Sequence, residues 1–373
     1  MLQQAGVLTT PFVSTRGDEL AEIIASARED GEVDLENRGG MTASTTSAPI
    51  GAVVAGATRA LRSLDDFDGI VVVGGDGTFF EVFQGLYARP DCARQLSRIS
   101  LGIVPTGTGN GLAKTLSEES GEEYGVVGAA FLVAKGHTRP LDLAPTESGE
   151  KKYLGFLNVS WGIISDADIE SEAYRWLGSL RFTVAGLVRI ATLKYYTGRI
   201  TFLPAENVKV GGEGKDGEGG GSGESMAPFQ MPPLTEPLYS SNASTRGGSQ
   251  GWTTVEGQFL LANISQTKYI SHDLPVAPSS RLGDGLLDLF YIKKGATRVD
   301  MIKVFLAMEK GEHIGPRHRH VKWHRVQAFR IEPLSSIGRL TVDGELVKYA
   351  PFQQHIWRKA ANIMCLTNPA PIT

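Results

Sequence analysis

The chain has 373 residues, 41% of them hydrophobic, and its 37 basic and 41 acidic side chains leave a formal charge of −4. That balance gives no electrostatic footprint for nucleic acid, two cysteines as far apart as Cys92 and Cys365 make no disulfide framework, and no run nears the roughly 18 apolar residues of a membrane span. The length exceeds what one core usually serves, and the first ten residues lack the regions of a secretory signal, so the expectation is a two-domain cytoplasmic protein whose membrane contact is peripheral and reversible.

Residues 29–49 mix acidic residues with Gly, Ser and Thr and are expected to be a disordered insertion, since they carry too little apolar surface to offset ordering entropy. Residues 69–73 (GIVVV) read as a buried strand ending in Gly74 and Gly75, and 80–87 show helical spacing. Residues 100–104 form a second short apolar strand, and 111–115 open a second helix. This alternation predicts a parallel sheet with crossover helices, a Rossmann-like α/β domain over residues 1–141.

Beyond Leu141 the texture changes. Residues 153–160, 259–264, 286–292, 326–331, 339–342 and 355–357 read as strands, and helical segments are expected at 170–194 and 298–309. That pattern predicts an antiparallel β-sandwich over residues 142–373. Residues 211–251, crowded with Gly, Ser, Pro and Glu, are expected to be a second disordered insertion within it.

Two glycine turns carry the chemistry. Gly74-Gly75-Asp76-Gly77-Thr78 lies between a buried strand and a helix, where free N–H groups face an anion and where open α/β sheets put their ligands. Taken alone, such a sequence is as often an ordinary tight turn. Pro105-Thr106-Gly107-Thr108-Gly109-Asn110 repeats the arrangement after the next strand. Two such turns at one sheet edge make a nest of donors for a polyphosphate. Neither is a Walker loop, because Ala113 precedes Lys114-Thr115, and neither has dinucleotide spacing. The domain therefore reads as nucleotide-binding. The His318, His320 and His324 run reads as a surface connection, and no metal site is expected from side chains alone.

GGDGTFFE (74–81) followed by PTGTGN (105–110) resembles the signature pair of the diacylglycerol/sphingosine kinase superfamily. The stretch 160–182 (SWGIISDADIESEAYRWLGSLRF) and LTVDGELV (340–347) resemble the sphingosine kinases in particular, and the likeness spans about residues 12–357 outside the insertions. The resemblance implies an ATP- and Mg²⁺-dependent kinase that phosphorylates the primary hydroxyl of a sphingoid base, with a lipid-binding C-terminal domain. It implies that Asp76 is the catalytic acid/base, that Gly74 meets the substrate, and that Gly75, Gly77, Glu81, Gly107, Thr108 and Gly109 serve the nucleotide. Arg175 and Arg181 match phosphate-contacting arginines, and Asp343, Gly344 and Glu345 match a segment closing on the nucleotide. Ser14 to Asp18 fall where the family has an adenosine-side loop, and Asp284 is a minor candidate for a structural Mg²⁺.

Asp168 matches the residue that holds the amino group. Residue chemistry alone leaves Asp166 open beside it, and the acidic run with Glu170 and Glu172 is also what a helix start favours. Asn158 and Ser165 are candidate partners for substrate hydroxyls, and Val184, Leu187 and Val188 are expected to touch the bilayer at the mouth of the lipid pocket. Family members begin with a strand and a glycine-rich turn upstream of where this chain starts, so an inactive lipid-binding relative is one alternative. A diacylglycerol or ceramide kinase is the other.

Overall fold

The structure, a computed structural model, describes residues 19–27, 63–171, 180–205, 231–236, 238 and 251–367. It divides into two compact units, Met1–Leu141 with Ala360–Thr373, and Asp142–Lys359.

The first unit runs α1 (Glu19–Ser26), β1 (Gly69–Gly74), α2 (Asp76–Tyr87), α3 (Cys92–Arg98), β2 (Ser100–Pro105), α4 (Gly111–Ser120) and α5 (Val126–Lys135). The strands β1 and β2 pair in parallel, in register from Gly69↔Ser100 to Gly74↔Pro105. Both therefore end at the same edge, where their glycine turns begin. Helix α2 buries Phe79, Phe80, Val82, Phe83 and Leu86, apolar positions at helical spacing, each worth roughly 1.5–3 kcal/mol of burial. It starts four residues before the expected helix because Asp76 and Gly77 are already in its first turn. Gly85 lets α1 come close, since a Cβ there would meet the Ala21 carbonyl oxygen at 2.7 Å.

Strand β3 (Thr138–Ser148) begins in the first unit and ends in the second. The second unit continues through β4 (Lys151–Gly155), β5 (Asn158–Gly162), α6 (Ile163–Ser171), α7 (Leu180–Thr192), β6 (Tyr196–Pro204), β7 (Thr253–Ser265), β8 (Leu287–Lys293), α8 (Arg298–Met308), β9 (Val321–Pro333), β10 (Leu340–Val342), β11 (Glu345–Val347), β12 (Phe352–His355) and β13 (Trp357–Met364). The last strand leaves the second unit at Ala360 and pairs in parallel with β2 through Asn362↔Ser100 and Ile363↔Leu101.

Strand pairing within the second unit is antiparallel. Strands β6, β7, β8 and β9 pair in a closed cycle, which removes open edges. Strand β5 joins β7 and carries β10 and then β11, while β12 joins β9 and carries β3 and then β4. Phe202, Phe259, Phe290, Phe329 and Trp161 fill the interior, with the Trp161 and Phe259 rings 5.3 Å apart.

Several expected elements are corrected. The strand at 153–160 is two strands, broken where the N–H groups of Phe156 and Leu157 turn to the Asp343 carboxylate. The strand at 355–357 is the junction where β12 ends and β13 begins. The helix at 170–194 is replaced by α6, which starts at Ile163, and α7, which stops at Thr192; residues 172–179 lie outside the described residues. Strands β3 and β6 escape sequence pattern because each carries proline, and β6 a glycine, that reads as punctuation.

The insertion at 211–251 is also not uniform. Residues 231–236 are held by Arg330, which is 1% exposed and donates to the carbonyls of Pro232, Pro233 and Glu236. Gln353 accepts from the same guanidinium at 2.6 Å, and Leu238 is buried. The first insertion, 29–49, lies outside the described residues.

Candidate active site

In the first unit the two glycine turns touch. A Cβ on Gly107 would lie 2.7 Å from the Gly75 Cα, and one on Gly75 would lie 3.2 Å from the Gly107 Cα. Side chains at either position would force the turns apart, so glycine is required for close approach rather than for flexibility. The Thr106 N–H donates to the Gly74 carbonyl at 3.0 Å, pinning the second turn to the end of β1. Asn110 adopts the left-handed conformation (φ 57°) and closes its turn, accepting from the Gly107 N–H at 3.2 Å and donating to the Gly107 carbonyl at 2.6 Å. Thr106, Gly107 and Thr108 are exposed above it. The cradle suits phosphate, with small residues, hydroxyls and a helix N-terminus on either side.

Asp76 begins α2 but caps α4. Its Oδ2 accepts from the Gly111 N–H at 2.8 Å and its Oδ1 from the Leu112 N–H at 3.3 Å, two otherwise orphaned donors of that helix. Burial pushes its pKa up to about 6, against the opposing pull of the Gly111, Leu112 and Asn110 N–H groups. A carboxylate poised there is a stronger base than an ordinary aspartate. Gly109 sits beside it, its notional Cβ 3.5 Å from Oδ2. Gly77 lies in the first turn of α2, and Glu81 lies half-buried on the same helix.

In the second unit Asp168 is half-buried on α6 with its carboxylate against Gly344, 3.7 Å from where a Cβ would stand. Asp166 is different. It is 2% exposed, takes the Tyr196 hydroxyl at 2.6 Å, and lies 3.7 Å from Arg339 and 3.8 Å from Arg189. Those arginines also hold Glu170, so Asp166 and Glu170 belong to one ion network that fastens α6 to α7 and β6.

Asp343, in the left-handed conformation (φ 52°), turns inward. Its carboxylate accepts the N–H groups of Phe156, Leu157 and Asn158, each at 2.9 Å. Of the DGE segment, Gly344 and Glu345 are exposed. The Asn158 side chain donates to Ser160 Oγ at 2.9 Å and to Asn263 Oδ1 at 3.1 Å. Ser160 and Asn263 escape sequence reading, because only the register Ser160↔Asn263 brings them together. Ser165 is fully buried and its Oγ has no partner.

Arg175 and Ser14 to Asp18 lie outside the described residues; Arg181 falls in α7, but its side chain lies outside them. Asp284 is paired with Arg325, whose guanidinium also lies 3.7 Å from the buried Asp288. A built-in cation thus stands where a structural metal was a minor candidate. Among the described residues no group of three or more His, Cys, Asp or Glu is placed to hold a metal ion, and none of the α-helices is long and apolar enough to cross a membrane. The outer face of α7 exposes Val184 (36%), Leu187 (44%) and Val188 (48%).

The model of the diacylglycerol kinase catalytic domain matches residues 2–146, and that of the YegS C-terminal NAD kinase beta sandwich-like domain matches residues 246–365. A solved chain from Bacillus anthracis str. Sterne, assigned to the diacylglycerol kinases, superposes with a TM-score of 0.54 at 20% identity, covering 82% of this chain and 80% of its own. Family model and fold together show a likeness to the diacylglycerol kinase superfamily. Mouse sphingosine kinase 1 is 32% identical over 83% of this chain and 79% of its own length, and human sphingosine kinase 1 is 33% identical over 77% and 73%. The chain belongs to the sphingosine kinase family of that superfamily. Its match spans 61% of human sphingosine kinase 2, to which it is 30% identical, and 59% of the Arabidopsis thaliana sphingosine kinase 1.

Proposed function

We propose that this chain transfers the γ-phosphoryl group of ATP to the primary hydroxyl of a sphingoid base. The observation that carries the reading is Asp76, a carboxylate with its pKa raised to about 6 at the point where two glycine turns touch. Asp76 takes the proton of the attacking hydroxyl, the hydroxyl oxygen bonds to the γ-phosphorus, and the bond to the β–γ bridging oxygen breaks to release ADP. Positioning and charge neutralisation supply most of the acceleration in such transfers. The Thr106–Thr108 backbone and the first turns of α2 and α4 cradle the phosphates, with Gly77, Glu81 and Gly109 alongside. Arg175 and Arg181 carry the charge balance by family resemblance. Mg²⁺ entering with the nucleotide would neutralise part of the phosphate charge.

Substrate class rests on Asp168. A sphingoid base carries an ammonium, and Asp168, which by family resemblance matches the residue holding the amino group, lies half-buried on α6 with its carboxylate beside Gly344. Neutral diacylglycerol or ceramide gives no reason for a carboxylate there. Val184, Leu187 and Val188 give α7 an outer apolar face suited to peripheral contact with a bilayer.

The test is transfer of labelled phosphate from Mg-ATP to sphingosine, with diacylglycerol and ceramide in parallel, for the wild type, Asp76→Asn and Asp168→Asn. Phosphorylation of sphingosine that disappears in Asp76→Asn and weakens through KM in Asp168→Asn supports the reading. Preference for a neutral lipid would refute the substrate class, and lipid binding without turnover would refute the activity.

A further inference from the structure

Lys114 puts a positive charge in the first turn of α4, the end of a helix where the macrodipole disfavours it. That turn holds no acidic residue of its own. Asp76 enters it from α2, but the Asp76 carboxylate is already engaged by the Gly111 and Leu112 N–H groups. Helix side chains tilt toward the N-terminus, and one turn is about 5.4 Å, within reach of a four-carbon stem. The half-buried Lys114 stands one turn from the N-cap Asn110, whose carbonyl accepts the Lys114 N–H at 3.0 Å. Its ammonium can therefore come level with the turn that Asn110 closes. A lysine so placed adds to the positive potential of the helix end and favours an anion from outside the protein.

An aromatic ring fixes where that charge stands. Lys114 Nζ lies 5.7 Å from the centre of the Tyr124 ring. The Tyr124 hydroxyl accepts from Asn110 Nδ2 at 3.2 Å, and the same Nδ2 donates to the Gly107 carbonyl at 2.6 Å. Lys114, Tyr124, Asn110 and Gly107 thus form one relay from a cation to the exposed phosphate turn. Local sequence brings Tyr124 there. Gly121, at φ 68°, ends α4 in the left-handed conformation, and the Glu122 N–H closes back on the Ser117 carbonyl at 2.9 Å, so the chain reverses beside its own helix. Gly128 lets α5 close on this loop, since a Cβ there would collide with the Glu123 carbonyl oxygen. A cation–π contact at a half-buried site is weaker than a charge-assisted bond to a phosphate oxygen, so the ring positions the ammonium without keeping it.

We propose that Lys114 is a phosphate-binding residue of the nucleotide site and that Tyr124 is its positioning residue. This rests on the kinase reading above and deepens it. The Lys114 ammonium leaves the Tyr124 ring and donates to a non-bridging phosphate oxygen of the nucleotide. It brings a full positive charge to an edge whose turns offer backbone donors and hydroxyls. Because its partner is phosphate, Lys114 distinguishes ATP from adenosine. Asn110 couples the two parts, holding the turn through Gly107 and the ring through its hydroxyl.

The experiment measures binding of ATP by calorimetry and of adenosine by competition, for the full chain and for Lys114→Met, Lys114→Arg and Tyr124→Leu. Lys114→Met keeps the stem and should lose about tenfold in ATP affinity, the scale of one charge-assisted hydrogen bond, with adenosine unchanged. Lys114→Arg should recover most of that loss, and Tyr124→Leu should cost about threefold. High salt should narrow the gap between wild type and Lys114→Met, because a half-buried charge is partly screened. In the wild type itself, ATP should slow acetylation of Lys114 by N-hydroxysuccinimide acetate several-fold more than adenosine does, which needs no variant to fold. Equal losses for ATP and adenosine in Lys114→Met, or acetylation slowed alike by both, would overturn the inference and leave Lys114 a structural residue on Tyr124. Unchanged ATP affinity would overturn it too, and assign the side chain to a surface pair with Glu118, one turn along the helix. ATP binding that depends on Lys114 without phosphorylation of sphingosine would refute the proposed transfer and support this inference. A wild type that binds no ATP would overturn both.

Discussion

Asp343 and Asn158 hold each other twice: the Asn158 N–H donates to the Asp343 carboxylate at 2.9 Å, and the Asp343 N–H donates to the Asn158 carbonyl at 2.7 Å. The same carboxylate takes two more backbone donors, so the DGE segment and the β4–β5 turn form one rigid piece that presents Gly344 to Asp168. Asp343→Ala should remove about 3 kcal/mol of stability, because it strands three buried N–H groups and puts alanine at φ 52°. Asp343→Asn, which tolerates that backbone and keeps one acceptor oxygen, should fall between. Denaturant melts of the three proteins check the order.

The close approach of the glycine turns makes a sharper contrast. Gly107→Ala would drive a methyl to 2.7 Å from the Gly75 backbone, which cannot move without displacing the phosphate edge. Gly109→Ala puts a methyl at an ordinary 3.5 Å from Asp76 Oδ2. The expected result is a loss of ATP affinity of at least tenfold in Gly107→Ala and less than threefold in Gly109→Ala, on the scale of a backbone shift against a tolerated contact. Nucleotide binding by calorimetry reads it directly; equal losses would mean that contact between the turns does not matter.

As the proposed base, Asp76 should set the pH profile. Its raised pKa, about 6, means the native carboxyl holds its proton more tightly than the unfolded chain does. Activity should therefore rise as pH climbs from 5 to 7 and the base ionises. Stability runs the other way. The contribution from this group is complete below the unfolded value near 4 and is lost as pH rises through about 6. Asp76→Asn should accordingly lose about 10²-fold or more in kcat while melting no lower than the wild type at pH 8. A kcat profile flat between pH 5 and 7 would contradict the assignment.

Much of this was legible in the sequence, and what was not has physical reasons. Valine runs ending in glycine announced β1, β2 and their turns, because strand, turn and helix start are local properties. Antiparallel pairing in the second unit followed from short apolar runs without helices between them. The clamp on Phe156 could not be read, since its acceptor lies 187 residues away in sequence. The place of Asp166 in an ion network was hidden for the same reason: it depends on Tyr196 and Arg339, which arrive from another strand and a loop. Asn263 carried no signal until strand register placed it against Ser160.

The apolar face of α7 tests membrane contact. Leu187→Glu with Val188→Glu places two charges on exposed positions and leaves the buried Ala185 and Ile190 in place, so the helix should keep its packing. Sedimentation with phosphatidylcholine vesicles should fall several-fold, as about 1.5–3 kcal/mol of apolar transfer per side chain is replaced by charge. Vesicle binding equal to the wild type would assign this face to something other than lipid.

Arg325 offers the last test, because it stands between two carboxylates of unequal burial. Asp288 is 0% exposed, takes the Trp323 Nε1–H at 2.7 Å, and has its pKa pushed up to about 6 by burial even with Arg325 pulling it down. Arg325→Met removes the counter-charge and leaves a buried anion, a loss of about 3 kcal/mol or more where the carboxyl is ionised. Without the arginine the Asp288 pKa moves further up, so at pH 5 the group is protonated and the variant should lie much closer to the wild type. The gap in melting temperature should therefore widen from pH 5 to pH 8. A divalent cation that restored Arg325→Met but not the wild type would show that the guanidinium does the work of a structural metal at Asp284. A gap independent of pH would mean that Arg325 contributes through packing of its aliphatic stem instead.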